Sequence, residues 1–358
     1  VYLIRHGEVQ VPGNEKRCYS SAEYPLSVRG EKQARQLRSW AQERGISLIA
    51  ASPSGRCVKT AELMSGGKIE IITDEALREE LAGRGYFLSS ANSINWGRLL
   101  PQIVYYVSAY CDLLNAGTIE AGTRVNFCVP TGNFGNILSG FYAKRMGVPI
   151  GRLICASNEN NVLTDFIKTG TYDRNRPFYQ TASPSMDILI SSNLERLLSL
   201  LSGSDEEVRG YMQKLSETGT YTVSDRVLRA VQAEFSCGFC TDAQGAQTIG
   251  RTFRESRYLL DTHTAVACTV LDAYRAETGD QTLTVVESTA SPFKFCASVL
   301  DALGVTEHAP GTGVLSQLTA ETGRPAPTPL ASLAGKPVRF DQVTDWGDMR
   351  AVVTEFLR

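Results

Sequence analysis

A chain of 358 residues with 42% hydrophobic and 21% charged side chains has room for two domains and the composition of a soluble globular protein. Its formal net charge of −2 gives no electrostatic case for nucleic acid or an anionic membrane as partner, and no apolar run approaches the ~20 residues that a bilayer span needs. The nine cysteines are scattered singly, mostly inside apolar runs such as Phe127-Cys128-Val129, the usage of buried, reduced thiols in a cytoplasmic protein. One close pair exists, Cys237-Gly-Phe-Cys240. A zinc ribbon needs a second such pair, and a thioredoxin-like site needs a strand ahead of it, whereas a helical stretch precedes this one. A redox or metal role is the alternative for that pair, and no metal is expected.

Residues 1–4 form an apolar strand at the very start of the chain, with neither a methionine nor a signal peptide before it, the look of a trimmed start. It runs straight into Arg5-His6-Gly7-Glu8. Ser27 is placed to cap a helix whose apolar positions Ala34, Leu37, Trp40 and Ala41 recur at helical spacing. Residues 46–50 are the next strand, followed by Ser52-Pro-Ser-Gly-Arg56, a helix over 57–64 and a third strand over 69–72. The order is βαβαβ.

Arg-His-Gly at a strand end, with Ser52, Arg56 and Thr60-Ala61 at their spacing, resembles the histidine phosphatase (phosphoglycerate mutase-like) superfamily. The resemblance implies that His6 is a phosphorylated nucleophile, with Arg5 and Arg56 as ligands of the transferring phosphoryl group and a glutamate near 79–80 as proton donor. Phosphoryl transfer rests on donors of that kind, which disperse the charge on oxygen. The chain departs from the pattern, however. Its three histidines are His6, His263 and His308. Neither later one stands in the Gly-His-Gly-like context of the family's second histidine, and the second half of that fold is missing. The expectation is a fragment with little or no phosphatase activity, a phosphohydrolase using His6 being the alternative.

Residues 74–85 read as one helical segment that fits either neighbour, and the domain boundary is expected there, dividing 1–78 from 79–358. Further on, residues 124–130 read as a short buried strand, followed by a glycine-bearing loop and a helix that ends at Gly147. Gly132 and Gly135 supply only G-x-x-G, so the loop is neither a dinucleotide fingerprint nor a Walker loop. A turn of this kind places backbone N–H groups at a helix N-terminus, where a phosphate can bind; a plain tight turn fits the bare pattern as well.

Several blocks together carry a second resemblance. They are Ser89-Ser-Ala-Asn-Ser-Ile-Asn-Trp-Gly-Arg98, Pro101-Gln-Ile-Val-Tyr-Tyr106, Pro130-Thr-Gly-Asn-Phe-Gly-Asn136, Ser157-Asn-Glu-Asn160, Thr169-Gly-Thr-Tyr-Asp173, Pro184-Ser-Met-Asp-Ile188, Asp261-Thr-His-Thr-Ala265 and Ser288-Thr-Ala-Ser-Pro-Phe-Lys-Phe295. From Leu88 onward the chain resembles threonine synthase, a pyridoxal 5′-phosphate enzyme of fold type II (tryptophan synthase β-like). The implied fold is α/β, a parallel sheet flanked by helices, placed after an N-terminal βαβαβ phosphoglycerate mutase-like fragment. The implied reaction turns O-phosphohomoserine and water into threonine and phosphate, in a monomer or homodimer.

That chemistry requires a cradle for the cofactor phosphate, a partner for the pyridine nitrogen, a Schiff-base lysine and a grip on the substrate phosphate. The resemblance assigns the cradle to Gly132, Asn133, Phe134, Gly135 and Asn136 and the nitrogen partner to Thr289. It assigns the substrate phosphate to Ser93, Arg98 and Asn133, with Arg98 giving a bidentate grip. Asn92 and Asn95 fit turn caps as well. His263 reads as a packed, hydrogen-bonded residue, and Lys294 as a structural ion-pair partner rather than a second catalytic lysine. The family's Schiff-base lysine lies in a Ser-Phe-His-Gly-Pro-Thr block upstream of the first of these segments. Nothing like that block occurs in residues 1–87, whose lysines are Lys16, Lys32, Lys59 and Lys68. The expectation is therefore a threonine synthase-like lyase impaired by the missing lysine, with a non-catalytic chimeric fusion as the alternative. Past 301, a Pro-rich connector at 324–329, a strand over 336–340 and an amphipathic helix from Trp346 with Met349, Val352, Val353 and Phe356 on one face resemble an intact end of the same family's chain.

Overall fold

The computed structural model describes residues 95–337 and 343–356 and, among the first 94, parts of 31–42 together with 48–51, 62–64 and 70–73. The chain separates into two units, Val1–Ser89 with Arg339–Arg358 and Ser90–Val338. The strands expected at 1–4 and 336–340 and the helical segment at 74–85 lie in whole or in part outside the described residues.

In the first unit, β1 (Leu48–Ala51) pairs in parallel with β2 (Glu70–Thr73), in register Leu48 to Glu70 and Ala51 to Thr73. A parallel pair needs a crossover between its strands, and residues 62–64 of that crossover are helical. Leu63 there is buried together with Ala34, and the Arg38 guanidinium donates to the Leu63 carbonyl at 3.0 and 3.2 Å. At the chain end the helix Met349–Phe356 follows a single 3-10 turn. Its expected apolar stripe is only half-covered, with Val352 and Val353 half-buried and Met349 and Phe356 exposed.

The second unit is built on a four-stranded sheet, all parallel, in the spatial order 235–239, 150–157, 125–130, 284–286. Its strands are β3 (Val125–Pro130), β4 (Ile150–Ser157), β7 (Phe235–Phe239) and β8 (Thr284–Val286). A separate antiparallel ribbon pairs β5 (Thr171–Asp173) with β6 (Thr220–Thr222). Every residue of β3 is buried, because side chains alternate across a strand and helices cover both faces of a parallel sheet. Phe127, Val129, Leu153 and Cys155 pack on one face beside α1 (Ile103–Asn115) and α2 (Gly135–Arg145). Cys128, Ile154 and Ala156 pack on the other, against Val266, Ala267 and Val270 of α3 (Thr262–Thr278). The α/β architecture implied by the resemblance is thus the observed one. Among the described residues no helix is long and apolar enough to cross a membrane.

Two local features differ from expectation. The helical stretch expected before Cys237 is present as Asp225–Glu234, but Cys237 itself lies within the strand β7, opposite Cys155, and Cys240 follows the strand end. Burial pushes both thiols up to about 11, so neither has the thiolate character of a redox centre. Among the described residues no cluster could hold a metal ion. Lys294 makes no ion pair with a described residue; its ammonium lies over the Phe295 ring at 5.4 Å.

Candidate functional site

Parallel sheets bind ligands outside the carboxyl ends of their strands, and β3 and β8 both end at one cavity of about 770 Å³. Pro130 closes β3, and the loop that follows has its carbonyls committed. The Ser191 hydroxyl donates to the Gly132 carbonyl at 2.8 Å, and the Asn193 amide donates to the Asn133 carbonyl at 2.9 Å. Oxygens held in this way leave N–H groups for the cavity. Phe134 then takes a left-handed conformation, φ 61 and ψ 0, and α2 begins at Gly135 with no side-chain cap. The first helical bond runs from Leu138 N–H to the Phe134 carbonyl at 3.0 Å. The result is a helix N-terminus at the cavity: residues 132–137 line it, where a helix start offers unpaired N–H groups and the positive end of its dipole. Both oxygens of Asn136 are within reach of the buried Tyr106 hydroxyl, at 2.9 and 3.0 Å, which fixes the first turn against α1.

The loop is covered by residues 184–186. A Cβ at Gly132 would stand 3.0 Å from the Ser185 carbonyl oxygen and 3.1 Å from the Met186 Cα, so a side chain there would have to push the covering backbone outward, and glycine permits the close approach. That covering segment is tied down twice. Asp187 accepts from Asn158 at 2.7 Å, Asn160 at 3.0 Å and the Thr181 hydroxyl at 2.7 Å. The Ser185 N–H donates to His263 Nε2 at 3.2 Å. His263 is therefore an acceptor at Nε2, and its other nitrogen faces Asp261 at 3.5 Å. Asp261 caps α3 by accepting from the N–H groups of His263 and Thr264. Burial works against its charge, but these bonds and the Thr264 hydroxyl outweigh it and hold the carboxyl below its usual range.

Of the residues singled out from sequence, Gly132, Asn133, Phe134, Gly135, Asn136, Thr289 and Arg98 all line this one cavity. Asn95 caps the turn Trp96–Leu99, accepting from Gly97 N–H at 2.9 Å. His6, Arg5, Arg56, Ser93 and Asn92 lie outside the described residues. The cavity is also lined by Ser185, Met186, His263, Glu287 and Ser288, and by Gln102, Tyr105 and Asp112 from around α1. The signal for Glu287 was its place, a lone charge between the apolar Val285-Val286 and Ser288. No lysine is among the described lining residues.

The fold, a parallel sheet flanked by helices, is that of the fold type II class of pyridoxal-phosphate enzymes. Residues 1–86 match the family model of the histidine phosphatase superfamily (branch 1), and 264–353 that of the threonine synthase C-terminal region. Threonine synthase-like 1 of Homo sapiens is 47% identical over 225 residues, 62% of this chain and 30% of that protein. Threonine synthase of Saccharomyces cerevisiae is 37% identical over 231 residues, 60% of this chain and 44% of that one. The crystal structure of PLP-bound threonine synthase from Brucella melitensis is 30% identical and superimposes with a TM-score of 0.64, covering 94% of this chain and 78% of that one. The chain belongs to the threonine synthase family. It spans between about a third and a half of the length of the two curated relatives.

Proposed function

We propose that this chain carries the phosphate-binding part of a threonine synthase-type pyridoxal 5′-phosphate site in a domain over 79–358, preceded by a histidine phosphatase-like domain over 1–78. The observation that supports it most is the meeting, around one cavity, of a glycine loop with committed carbonyls at a helix N-terminus and a strand-end Thr289. That donor set suits a phosphate monoester dianion, which Gly132 to Asn136 would hold through backbone N–H groups. Thr289 would face the pyridine nitrogen with a neutral hydroxyl, leaving that nitrogen largely unprotonated. Arg98, with Ser93 and Asn133, would grip the phosphate of O-phosphohomoserine. When bound, the cofactor supplies an electron sink for charge developing on the substrate's α and β carbons.

The remaining requirement is not met among the described residues, none of which offers an amine to the cavity. The chain would therefore hold the cofactor without a covalent link, and conversion of O-phosphohomoserine and water into threonine and phosphate would be impaired. All seven described cysteines are free, which suits a monomer or homodimer in a reducing cytoplasm. The match of 1–86 to the phosphatase family favours one further reading, a phosphohydrolase in which Arg5 and Arg56 hold the phosphoryl group that His6 accepts. Phosphomonoester hydrolysis lost in His6→Ala would support it.

Calorimetric titration with pyridoxal 5′-phosphate tests the main proposal. Saturable binding is expected, competitive with inorganic phosphate and weakened about tenfold or more in Gly132→Ala, whose Cβ forces the covering backbone away at about 1–3 kcal/mol. Binding unaffected by either would sink it.

A further inference from the structure

The position of Glu287, taken with the proposed phosphate cradle, points to a ligand class. Its N–H donates to the Cys128 carbonyl at 3.0 Å, which continues the β3–β8 ladder one residue past the strand and holds Glu287 at the cavity beside Ser288 and Thr289. Burial raises its carboxyl above the usual range, with no hydrogen bond or cation among the described residues to oppose the shift. The other charged or titratable groups among the described residues of the cavity are Arg98, Tyr105, Asp112 and His263. His263 Nε2 is already engaged by the Ser185 N–H, and Asp112 is itself an acid. A carboxylate removed from water without a partner is costly, so a ligand that brings a cation gains from it.

We infer that Glu287 pairs with a protonated amine on a phosphate-monoester ligand, so that the cavity selects amine-bearing phosphate monoesters over neutral ones of the same shape. Two sources carry that chemistry: pyridoxamine 5′-phosphate and the amino acid O-phosphohomoserine. The absent lysine agrees with this. The described residues of the cavity offer no amine for an aldehyde to condense with, yet they include a carboxylate for an amine that the ligand supplies. The inference rests on the loop holding the phosphate.

The full chain is titrated with pyridoxamine 5′-phosphate, with 4-deoxypyridoxine 5′-phosphate, which lacks the amino group, and with O-phosphohomoserine, each against the native protein and Glu287→Gln. Pyridoxamine 5′-phosphate is expected to bind about tenfold tighter than the 4-deoxy compound, the worth of a charge-assisted hydrogen bond. Glu287→Gln is expected to erase that advantage while leaving the 4-deoxy compound's affinity unchanged. Should O-phosphohomoserine alone weaken about tenfold in the variant, the amine is the substrate's and the pairing still stands. If neither amine ligand responds to Glu287→Gln, the inference is overturned. If the 4-deoxy compound also fails to bind, the phosphate cradle itself is wrong, a failure distinct from the first.

Discussion

Phe134 occupies a left-handed backbone conformation although it carries a large side chain, a choice that costs about 1–2 kcal/mol for a residue with a Cβ. Burial of the ring offsets this: it is 1% exposed, and its centroid lies 5.6 Å from that of Phe235. Phe134→Ala keeps the strain and loses the ring, whereas Phe134→Gly loses the ring and releases the strain. Glycine is therefore expected to be the more stable of the two by about 1 kcal/mol in urea denaturation, the reverse of the order at an ordinary helical position. Glu287 gives a pH test. Its carboxyl is raised in the folded state, so between the unfolded and folded values the folded chain binds more protons, and stability falls as pH rises through that window. Glu287→Gln should match the native melting temperature below about pH 4 and exceed it at pH 7. Equal melting temperatures at both would show that the carboxyl is not desolvated.

The contacts between elements set the precision of the site. A Cβ at Gly140 of α2 would lie 2.5 Å from the Tyr106 ring of α1, so Gly140→Ala must push the two helices apart. A loss of about 1–3 kcal/mol in chemical denaturation is expected, as for overpacking elsewhere. The cover over the loop depends on His263, an acceptor from the Ser185 N–H 78 residues away in sequence. His263→Leu should remove the acceptor of that part-buried N–H at about 0.5–1.5 kcal/mol and weaken phosphate binding, while His263→Gln, which retains an acceptor, should recover part of the loss. The elements differ in how plainly they could be read. The β3 strand and the helix after it are legible in a short apolar run that gives way to glycines and ends at Gly147. Where α2 begins is not, because only a left-handed Phe134 brings its start forward to Gly135, and nothing in a phenylalanine announces that conformation. The strand β7 is hidden as well, being five residues directly after a helix. The His263–Ser185 bond is a tertiary pairing with no local signal, although both residues stand in blocks that resemble the family.

For the molecule as a whole, residues from most of the blocks legible between Arg98 and Thr289 line one cavity at the carboxyl end of a parallel sheet. The family membership explains why they do. Glu287 was not legible as part of the site, since a charge after a strand is ordinarily a solvated end. The described cavity offers N–H groups, a threonine hydroxyl, an arginine and a carboxylate, and no lysine. Incubation with pyridoxal 5′-phosphate, borohydride reduction and peptide mapping, with phosphate release from O-phosphohomoserine followed in parallel, tests this combination most directly. The chain is expected to bind the cofactor reversibly, to be displaced by inorganic phosphate, and to retain no stoichiometric pyridoxyl-lysine after reduction. A single lysine labelled one-to-one, together with steady phosphate release that the label abolishes, would contradict it.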